Sequence, residues 1–325
     1  TDGSVVTFDK TAPVITAVTV ASNNANTALA MVGDIVTVTM VSNESTQAPD
    51  VTIGDSLGTV TGSGTTWTAV RALTADDTEG SITFSIDYLD LAGNTGEQTT
   101  ATTDGSVVTF DKTPPVFTAV TVVSNNTYDS ALAMVGDTVT VTMAASESTQ
   151  APSVTIGGTI ATVTGSGTAW TAVRALTADD TEGAIALSID YLDLAGNAGA
   201  QTTAATDGST VFFDKTAPSV DNITSPNENG IYIVGDTVSI TISLNEIVQV
   251  TGVPMLQLET GDMDASADYH SGSGSNELTF HYIVSAGHFS GDLSYQSSNA
   301  LIFNDGMIQD SAGNEADLAL GDPGS

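Results

Sequence analysis

The chain has 325 residues, of which 39 are Asp or Glu and 5 are Lys or Arg, so its formal net charge is -34. A surface this acidic repels phosphate groups, which excludes nucleic acid and anionic membranes as partners. The absence of cysteine excludes disulfides, thiolate catalysis and thiolate-bound zinc. No apolar run approaches the ~20 residues that a membrane-spanning helix needs, so membrane insertion is not expected.

The chain repeats itself with a period of about 103 residues, the size of one sandwich domain. Trp67 recurs as Trp170, and the motif Asp-Lys-Thr, followed by proline, begins at Asp9, Asp111 and Asp214. Because proline fixes its own φ angle, these motifs predict stiff linkers. We therefore predict a first domain at residues 9–110, a second at 111–213 and a divergent third at 214–325. Residues 1–8 begin with the sequence Thr-Asp-Gly-Ser, which recurs at 103–106, and they are expected to be the tail of an upstream repeat.

Short runs of Val, Thr and Ile that alternate in polarity predict half-buried strands. In the first repeat the predicted strands are Val14–Val20, Ile35–Val41, Val51–Ile53, Thr59–Thr61, Trp67–Leu73, Ile82–Leu89 and Thr95–Phe110, the last interrupted at Asp104-Gly105. Seven strands in about 100 residues are typical of an immunoglobulin-like β-sandwich. The predicted fold class is thus all-β, with tandem immunoglobulin-like β-sandwich domains in an extended rod.

Three acidic positions of each repeat are predicted to meet at one pole of its sandwich. Antiparallel strands alternate in direction, so the linker, the loop after the second strand and the loop after the sixth strand share an end. These positions are Asp9, Glu44 and Asp90 in the first repeat, Asp111, Glu147 and Asp193 in the second, and Asp214, Glu246 and Asp310 in the third. Clustered carboxylates repel unless a cation joins them, and Ca²⁺ accepts about six to eight oxygen ligands. The sequence therefore predicts calcium at this pole.

The opposite pole carries a second set of acids, which an end-to-end arrangement turns toward the next repeat. They are Asp76, Asp77 and Asp104 in the first repeat and Asp179, Asp180 and Asp207 in the second, and Glu79 and Glu182 stand in the same acidic loops. The prediction is that neighbouring repeats of the chain share the calcium at their junctions. The alternative for any single acid is a turn-forming or solvated role, and the coincidence of three positions in three repeats favours calcium.

Through the motif Asp-Lys-Thr-Ala-Pro at Asp9 and the motif Asp-Leu-Ala-Gly-Asn at Asp90, the chain resembles bacterial immunoglobulin-like extender repeats of giant secreted, RTX-type adhesins. Some members of that family attach marine bacteria to ice or other surfaces. The resemblance implies an extracellular place on the bacterial surface, a spacer role and Ca²⁺ that stiffens the domain junctions. It implies that a surface or glycan ligand binds to other domains of the full protein. The matching positions are linker Asp9, Asp111 and Asp214 and loop Asp90, Asp193 and Asp310.

Two other functions compete with a spacer. Enzymatic activity is not expected, because no catalytic motif occurs and the three histidines, His270, His281 and His288, all fall in the third repeat. His270 and His281 are either a metal-binding pair on neighbouring strands or ordinary surface residues.

A binding module is the stronger alternative, with the divergent third repeat taking a glycan on its aromatic side chains. The candidates are Tyr269, Tyr282, Phe289 and Tyr295. Aromatic residues at alternating positions are also typical of a core. Direct ice binding through pairs such as Thr37 and Thr39 is a further possibility, although a strand with one polar face has the same pattern.

Overall fold

A computed structural model describes residues 8–323, and all its regular structure is β, as predicted. The predicted upstream tail lies outside the described residues except for Phe8. Within the described part of the chain, no helix is long and apolar enough to cross a membrane.

The first domain contains ten short strands in three hydrogen-bonded groups. They are β1 (Ile15–Ser22), β2 (Leu29–Ala30), β3 (Ile35–Ser42), β4 (Asp50–Ile53), β5 (Ser56–Leu57), β6 (Thr59–Ser63), β7 (Thr66–Ala72), β8 (Gly80–Ser81), β9 (Phe84–Asp87) and β10 (Thr109–Phe110). The groups run β1-β3-β7-β6, β5-β4-β9 and β2-β10-β8. The first order is the ABED sheet of an immunoglobulin constant-type domain, which confirms the predicted fold class.

The second domain repeats this arrangement strand for strand. Its strands are β11 (Phe117–Ser124), β12 (Leu132–Ala133), β13 (Thr138–Ala145), β14 (Ser153–Ile156), β15 (Thr159–Ile160), β16 (Thr162–Ser166), β17 (Ala169–Ala175), β18 (Gly183–Ala184), β19 (Leu187–Asp190) and β20 (Phe212–Phe213). They pair in the orders β11-β13-β17-β16, β15-β14-β19 and β12-β20-β18.

The third domain has longer strands and a different connection between its layers. The strands are β21 (Val220–Thr224), β22 (Thr237–Thr251), β23 (Met255–Glu259), β24 (Ala265–Ser271), β25 (Ser275–Ile283), β26 (Ser294–Tyr295), β27 (Leu301–Ile302) and β28 (Met307–Gln309). The main order is β21-β22-β25-β24-β23-β26, with β27 on β23 and β28 on β22. Because β22 pairs with β25 along its first half and with β28 at its end, one strand joins both layers.

Alternating burial along the strands gives each domain a core of its own. In β3, Val36, Val38 and Met40 are buried while the threonines between them are half-exposed. The three apolar clusters draw their buried residues from Val18 to Phe110, from Val120 to Phe213 and from Val238 to Leu320.

The predicted last strand of the first domain is largely wrong. Only Thr109–Phe110 forms a strand, and isolated bridges at Thr95 and Thr99 replace the rest of the predicted ladder. Hydroxyl groups take the place of strand carbonyls here: Val18 N donates to Thr103 Oγ1 (3.0 Å) and Val20 N donates to Ser106 Oγ (2.9 Å). The short strands β2, β5 and β8 are absent from the prediction because two residues carry no periodicity.

The two-residue closing strands β10 and β20 complete the ends of the first and second sandwiches. β20 lies between β12, to which it is parallel, and β18, to which it is antiparallel. Phe213 of this strand is 0% exposed, whereas its neighbour Phe212 is 51% exposed. Because successive strand residues face opposite sides, only one of the two phenylalanines belongs to the core.

This alternation predicts unequal effects for two adjacent substitutions. Phe213→Ala removes a fully buried ring and is expected to lower the free energy of unfolding of the second domain by about 3–5 kcal/mol. Phe212→Ala, the matched control, is expected to lower it by less than ~1 kcal/mol. The chain has two tryptophans, so a Trp67→Phe background leaves Trp170 fluorescence as the reporter of the second domain in urea titrations. Equal losses for the two variants would contradict the described facing of β20.

Candidate metal centre at the domain junctions

The nine acids predicted at one pole converge in three clusters of three. In each cluster, one carboxylate oxygen from every member lies within 4.8 Å of the others. The clusters are Asp9, Glu44 and Asp90; Asp111, Glu147 and Asp193; and Asp214, Glu246 and Asp310. Among the described residues, these are the groups of acidic or imidazole side chains with the spacing of a metal site.

The loop aspartate of each cluster is fixed by the turn that follows it. Asp193 is 1% exposed; its Oδ1 accepts from Gly196 N (2.6 Å) and Asn197 N (2.8 Å), and its Oδ2 accepts from Asn197 Nδ2 (2.7 Å). Asn197 Nδ2 also donates to the carbonyl oxygen of Asp111 (3.0 Å), which ties the loop to the linker. The turn-forming role and membership in the cluster therefore coincide in one residue.

The linker aspartate belongs to two domains at once. The backbone N of Asp111 donates to Ala30 O (2.9 Å) beside the closing strand of the first domain. Its side chain accepts from Thr113 N (3.0 Å) and lies in the cluster of the second domain. Asp214 repeats this arrangement, with its backbone N on Ala133 O (2.9 Å) and its Oδ1 on Thr216 N (3.0 Å). Each linker thus carries a carboxylate from the end of one sandwich to the pole of the next.

The acid of the preceding domain that lies beside the linker is Glu79, which the sequence places in the acidic loop without distinguishing it from Asp76 and Asp77. Glu79 Oε1 accepts from Lys112 N (2.8 Å) and Thr113 Oγ1 (2.7 Å), which places its carboxylate beside the linker. Its charge contributes to the raised pKa of both Asp111 and Glu147. Glu182 binds the next linker in the same way, through Lys215 N and Thr216 Oγ1.

A sequence signal for these glutamates exists. Each stands 33 residues before the lysine of the linker that it contacts. This fixed spacing between an acidic loop and a linker is visible in the two repeats without any structure.

Burial and mutual repulsion oppose the charged forms of the clustered acids. Burial raises the pKa of Asp111 and Glu147, and the neighbouring charges of Asp193 and Glu79 raise both pKa values further. In the next cluster, burial and the charges of Asp310 and Glu182 raise the pKa of Asp214.

Glu246 of that cluster has both a raised pKa and a buried carboxylate oxygen without a hydrogen-bond partner. Burial and the charges around it raise its pKa, as they do for Glu147 in the second domain. Its Oε1 is buried and accepts no hydrogen bond. A buried carboxylate oxygen without a partner is costly, and a bound cation removes that cost.

Six predicted ligands of the opposite pole do not join the clusters. Asp77 and Asp180 pair with Arg71 and Arg174 at 2.5 Å, and each arginine stands on the strand that leads into the loop of its partner. The other four, Asp76, Asp104, Asp179 and Asp207, are exposed on the surface. Asp104 and Asp207 accept from the backbone N of the serine two residues later, at 2.9 Å, and so form local turns.

Direct contacts between domains surround each junction cluster. Asn24 Nδ2 donates to Ala195 O (2.8 Å) in the second domain, and Asn126 Nδ2 donates to Ala312 O (2.7 Å) in the third. Ala195 and Ala312 are 4% and 2% exposed, whereas the corresponding Ala92 of the first domain is exposed. The loop that carries the clustered aspartate is therefore also the loop on which the preceding domain rests.

The aromatic residues proposed for glycan binding do not form a common platform. Tyr282 is 4% exposed, and Tyr269 packs edge-on against Phe280 at 5.9 Å between ring centroids. Of the remaining two, Tyr295 is half-buried and Phe289 is 79% exposed. Tyr269 and Tyr282 thus serve the core of the third domain.

The histidines of the third domain are paired in different ways. The rings of His270 and His281 stack with their centroids 3.9 Å apart, as expected for neighbours on adjacent strands. His288 instead lies beside the core, with its Nδ1 2.8 Å from Tyr282 Oη.

No family model matches the chain, and no curated protein matches it significantly. Among solved structures, fibronectin(III)-like modules of Clostridium thermocellum CbhA are 15% identical and have a TM-score of 0.31, over 61% of this chain and 94% of theirs. The I9–I11 tandem of titin is 8% identical with a TM-score of 0.29, over 82% of this chain and 89% of its own. SGBP-B of the Bacteroides ovatus mixed-linkage glucan utilization locus, solved in complex with a mixed-linkage heptasaccharide, is 13% identical with a TM-score of 0.19, over 94% of this chain and 67% of its own. TM-scores this low carry no argument about function, and the fold rests on the strand order described above.

The different surroundings of two adjacent acids give a test of the site assignment. Asp180→Ala leaves Arg174 buried without its partner and is expected to destabilise the second domain by about 3–5 kcal/mol, equally with and without calcium. Asp179→Ala, the control, is expected to change stability by less than ~0.5 kcal/mol. Urea titrations followed by Trp170 fluorescence in the Trp67→Phe background measure both. A calcium affinity that falls in Asp180→Ala while stability is unchanged would return Asp180 to the metal site.

Proposed function

We propose that the chain is a spacer segment of an extracellular bacterial adhesin, stiffened by Ca²⁺ bound where consecutive β-sandwiches meet. The observation that carries this proposal is the junction cluster itself. Three carboxylates of one domain and a glutamate of the domain before it lie together at each of the two described junctions.

The cluster acids have no cationic side chain as a partner in the described structure. The ion pairs there are Arg71 with Asp77 and Arg174 with Asp180, both outside the clusters. Lys112, the nearest lysine, directs its Nζ to the carbonyl oxygens of Ala75 and Asp77 at 2.8 and 2.9 Å. Hydrogen bonds from Thr113 and Lys112 and the charge of Lys112 lower the pKa of Glu79. No cationic side chain among the described residues pairs with Asp111, Glu147 or Asp193, so their negative charge is left for an ion from solution.

Calcium suits these donors better than other common metals. The clusters offer oxygen atoms without imidazole or thiolate, which disfavours zinc and copper. Mg²⁺ demands a near-ideal octahedron, whereas Ca²⁺ tolerates irregular sets of carboxylate, carbonyl and water oxygens. Side chains from a linker, two loops and a second domain form an irregular set of this kind.

A cation at this place joins two domains by the ligands that it takes from each. It neutralises Glu79 together with Asp111 and Glu147, so the repulsion that opposes domain contact becomes an attraction. The short proline-containing linkers restrict the remaining freedom. A row of such junctions forms a stiff spacer, and the large negative charge of the chain suits a medium rich in cations.

Calcium is expected to raise the stability of the chain and to depend on the glutamates of the clusters. At a free concentration one hundred times the dissociation constant, each occupied site adds about 2.7 kcal/mol by mass action. Glu147→Gln is expected to weaken binding at its junction about tenfold, because affinity follows the number of ligand charges. The measurements are calorimetric titration and thermal unfolding in calcium and in EDTA, with the exposed Glu97→Gln as control. Identical melting curves in calcium and EDTA would remove calcium from the account.

The stabilising effect of calcium is expected to grow with pH. The raised pKa values of Asp111, Glu147, Asp214 and Glu246 mean that, without calcium, their contribution to stability is present below about pH 4 and is lost as pH rises through the raised values. Calcium binds the charged forms, so it reverses this loss. The difference in Tm between calcium-loaded and calcium-free chain should rise from near zero at about pH 4 to its full value near pH 7. A difference independent of pH would show that these carboxylates do not bind the ion.

A further inference from the structure

The loop that the second domain presents to the third is longer than its counterpart in the first domain. In the first domain Ser22 N donates to Thr27 O (2.9 Å), and in the second Ser124 N donates to Ser130 O (2.8 Å). These bonds enclose residues 23–26 in one loop and residues 125–129 in the other. The longer loop contains Tyr128, whereas residues 23–26 include no aromatic residue. The two loops therefore differ in length and in chemistry.

Tyr128 reaches across the junction between the second and third domains. Its Oη donates to Gln309 Oε1 (3.1 Å). The edge of its ring lies on Gly313, where a Cβ atom would be 2.6 Å from the ring and only hydrogen fits. Asn126 Oδ1 accepts from the backbone N of Tyr128 (2.9 Å), and Asn126 Nδ2 donates to Ala312 O (2.7 Å). One asparagine thus holds the tyrosine in its loop and contacts the third domain.

The acceptor of the tyrosine hydroxyl is particular to the third domain. The residue directly before the clustered aspartate is Leu89 in the first domain, Leu192 in the second and Gln309 in the third. The two leucines are 37% and 40% exposed, whereas Gln309 is 6% exposed. A buried amide requires a hydrogen-bond partner, and a leucine has no group to offer Tyr128. The tyrosine and the glutamine therefore occur together at the second junction, and the first junction has neither.

A methionine contact is common to both junctions. Met31 lies against Gly196 at the first junction, where a Cβ atom on the glycine would be 3.3 Å from the methionine Sδ. Met134 lies against Gly313 at the second junction, at 3.5 Å by the same measure. A thioether adapts its shape to many neighbours and is at most a weak acceptor. The methionines are therefore general contacts, and Tyr128 is an addition at the second junction.

We propose that Tyr128 is the residue by which the second domain recognises a domain of the third type, through its hydrogen bond to Gln309 and the fit of its ring on Gly313. The pair borders a cleft of about 400 Å³ between the two domains, which Gln249 and Ser311 also line. The contact at Tyr128 is thus bounded by open space and does not belong to a continuous packed surface. It contains no charged group, so it does not depend on the proposed calcium site.

Trypsin can measure the opening of each junction in the intact chain, because the chain has only 5 Lys and Arg residues. Lys112 and Lys215 lie in the two linkers, and the Nζ of each donates to two backbone carbonyls of the preceding domain. Cleavage after either lysine requires the linker to leave this position. When closing is faster than cleavage, the rate follows the population of the open form. Each rate is divided by that of a synthetic peptide with the same linker sequence, which removes the preferences of the protease.

Tyr128→Ala is expected to raise the cleavage rate after Lys215 about tenfold and to change the rate after Lys112 less than about twofold. Tyr128→Phe keeps the ring and removes the hydroxyl, so about a fivefold rise is expected after Lys215. Gln309→Leu installs the residue of the first two domains and is expected to have the same effect. In the Gln309→Leu chain, Tyr128→Phe should change the rate less than about twofold, because the acceptor is already gone.

Three outcomes would overturn the proposal. They are an unchanged rate after Lys215 in Tyr128→Ala, equal rises after Lys112 and Lys215, and an effect of Tyr128→Phe that is as large in the Gln309→Leu chain as in the unaltered one. New cleavage after Arg174, whose side chain is 11% exposed, would likewise overturn it, because Tyr128 would then support the fold of its own domain. The series is run in calcium and in EDTA. Rates in the unaltered chain that do not respond to calcium would refute the calcium site and leave the effect of Tyr128 in place.

Discussion

Repulsion between carboxylates held a few ångströms apart is the interaction around which each junction is organised. Most of the polar partners in the cluster serve to hold the acids in place rather than to neutralise them. The asparagine after each loop aspartate binds both that carboxylate and the linker carbonyl, and the linker threonine binds the glutamate of the preceding domain. The polar groups of the loops and linkers are hydrogen-bonded, whereas the three clustered carboxylates have no cationic partner among the described residues. This arrangement, in which the clustered acids are held in place but not neutralised, is the basis on which we propose a bound cation between the domains.

The loops that hold the clustered aspartates also contact the preceding domain. The Asp-x-Ala-Gly-Asn loop presents its aspartate to the cluster and its alanine carbonyl to the asparagine of the preceding domain. A displacement of one domain against the next therefore alters the positions of both contacts. This coupling explains why a cation at the cluster is expected to restrict bending, and not only to add stability to a single domain.

The sequence predicted the sandwich fold and the convergence of nine acids, because strand alternation and strand direction are properties of local pattern. It did not separate Glu79 from Asp76 and Asp77, since that choice depends on the position of the Arg71 side chain in the folded domain. Arg71 takes Asp77 out of the acidic set, and the linker backbone selects Glu79. The last strand was lost for a similar reason: the hydroxyls of Thr103 and Ser106 satisfy a strand edge in a way that no periodicity records.

Comparison of the divergent third domain with the first two shows which features differ between the domains and which are retained. Its Tyr282 and His288, joined at 2.8 Å, stand where the other domains have the Arg71–Asp77 and Arg174–Asp180 pairs. Its strands are longer and its layers are connected differently. The acidic cluster of Asp214, Glu246 and Asp310 is nevertheless complete. The scaffold that supports the loops has changed, whereas the three carboxylates at the pole have kept their arrangement.

Small-angle X-ray scattering of the full chain in saturating calcium and in EDTA tests the central claim most directly. The account predicts an extended, narrow distribution of dimensions in calcium and a broader one after chelation. It also predicts that Glu147→Gln broadens the distribution in calcium, because its cluster holds the first and second domains together. Glu44→Gln changes an equivalent cluster at which the described structure places no second domain, and should leave the profile unchanged. A wild-type profile that is the same with and without calcium, or equal effects of the two substitutions, would contradict the account.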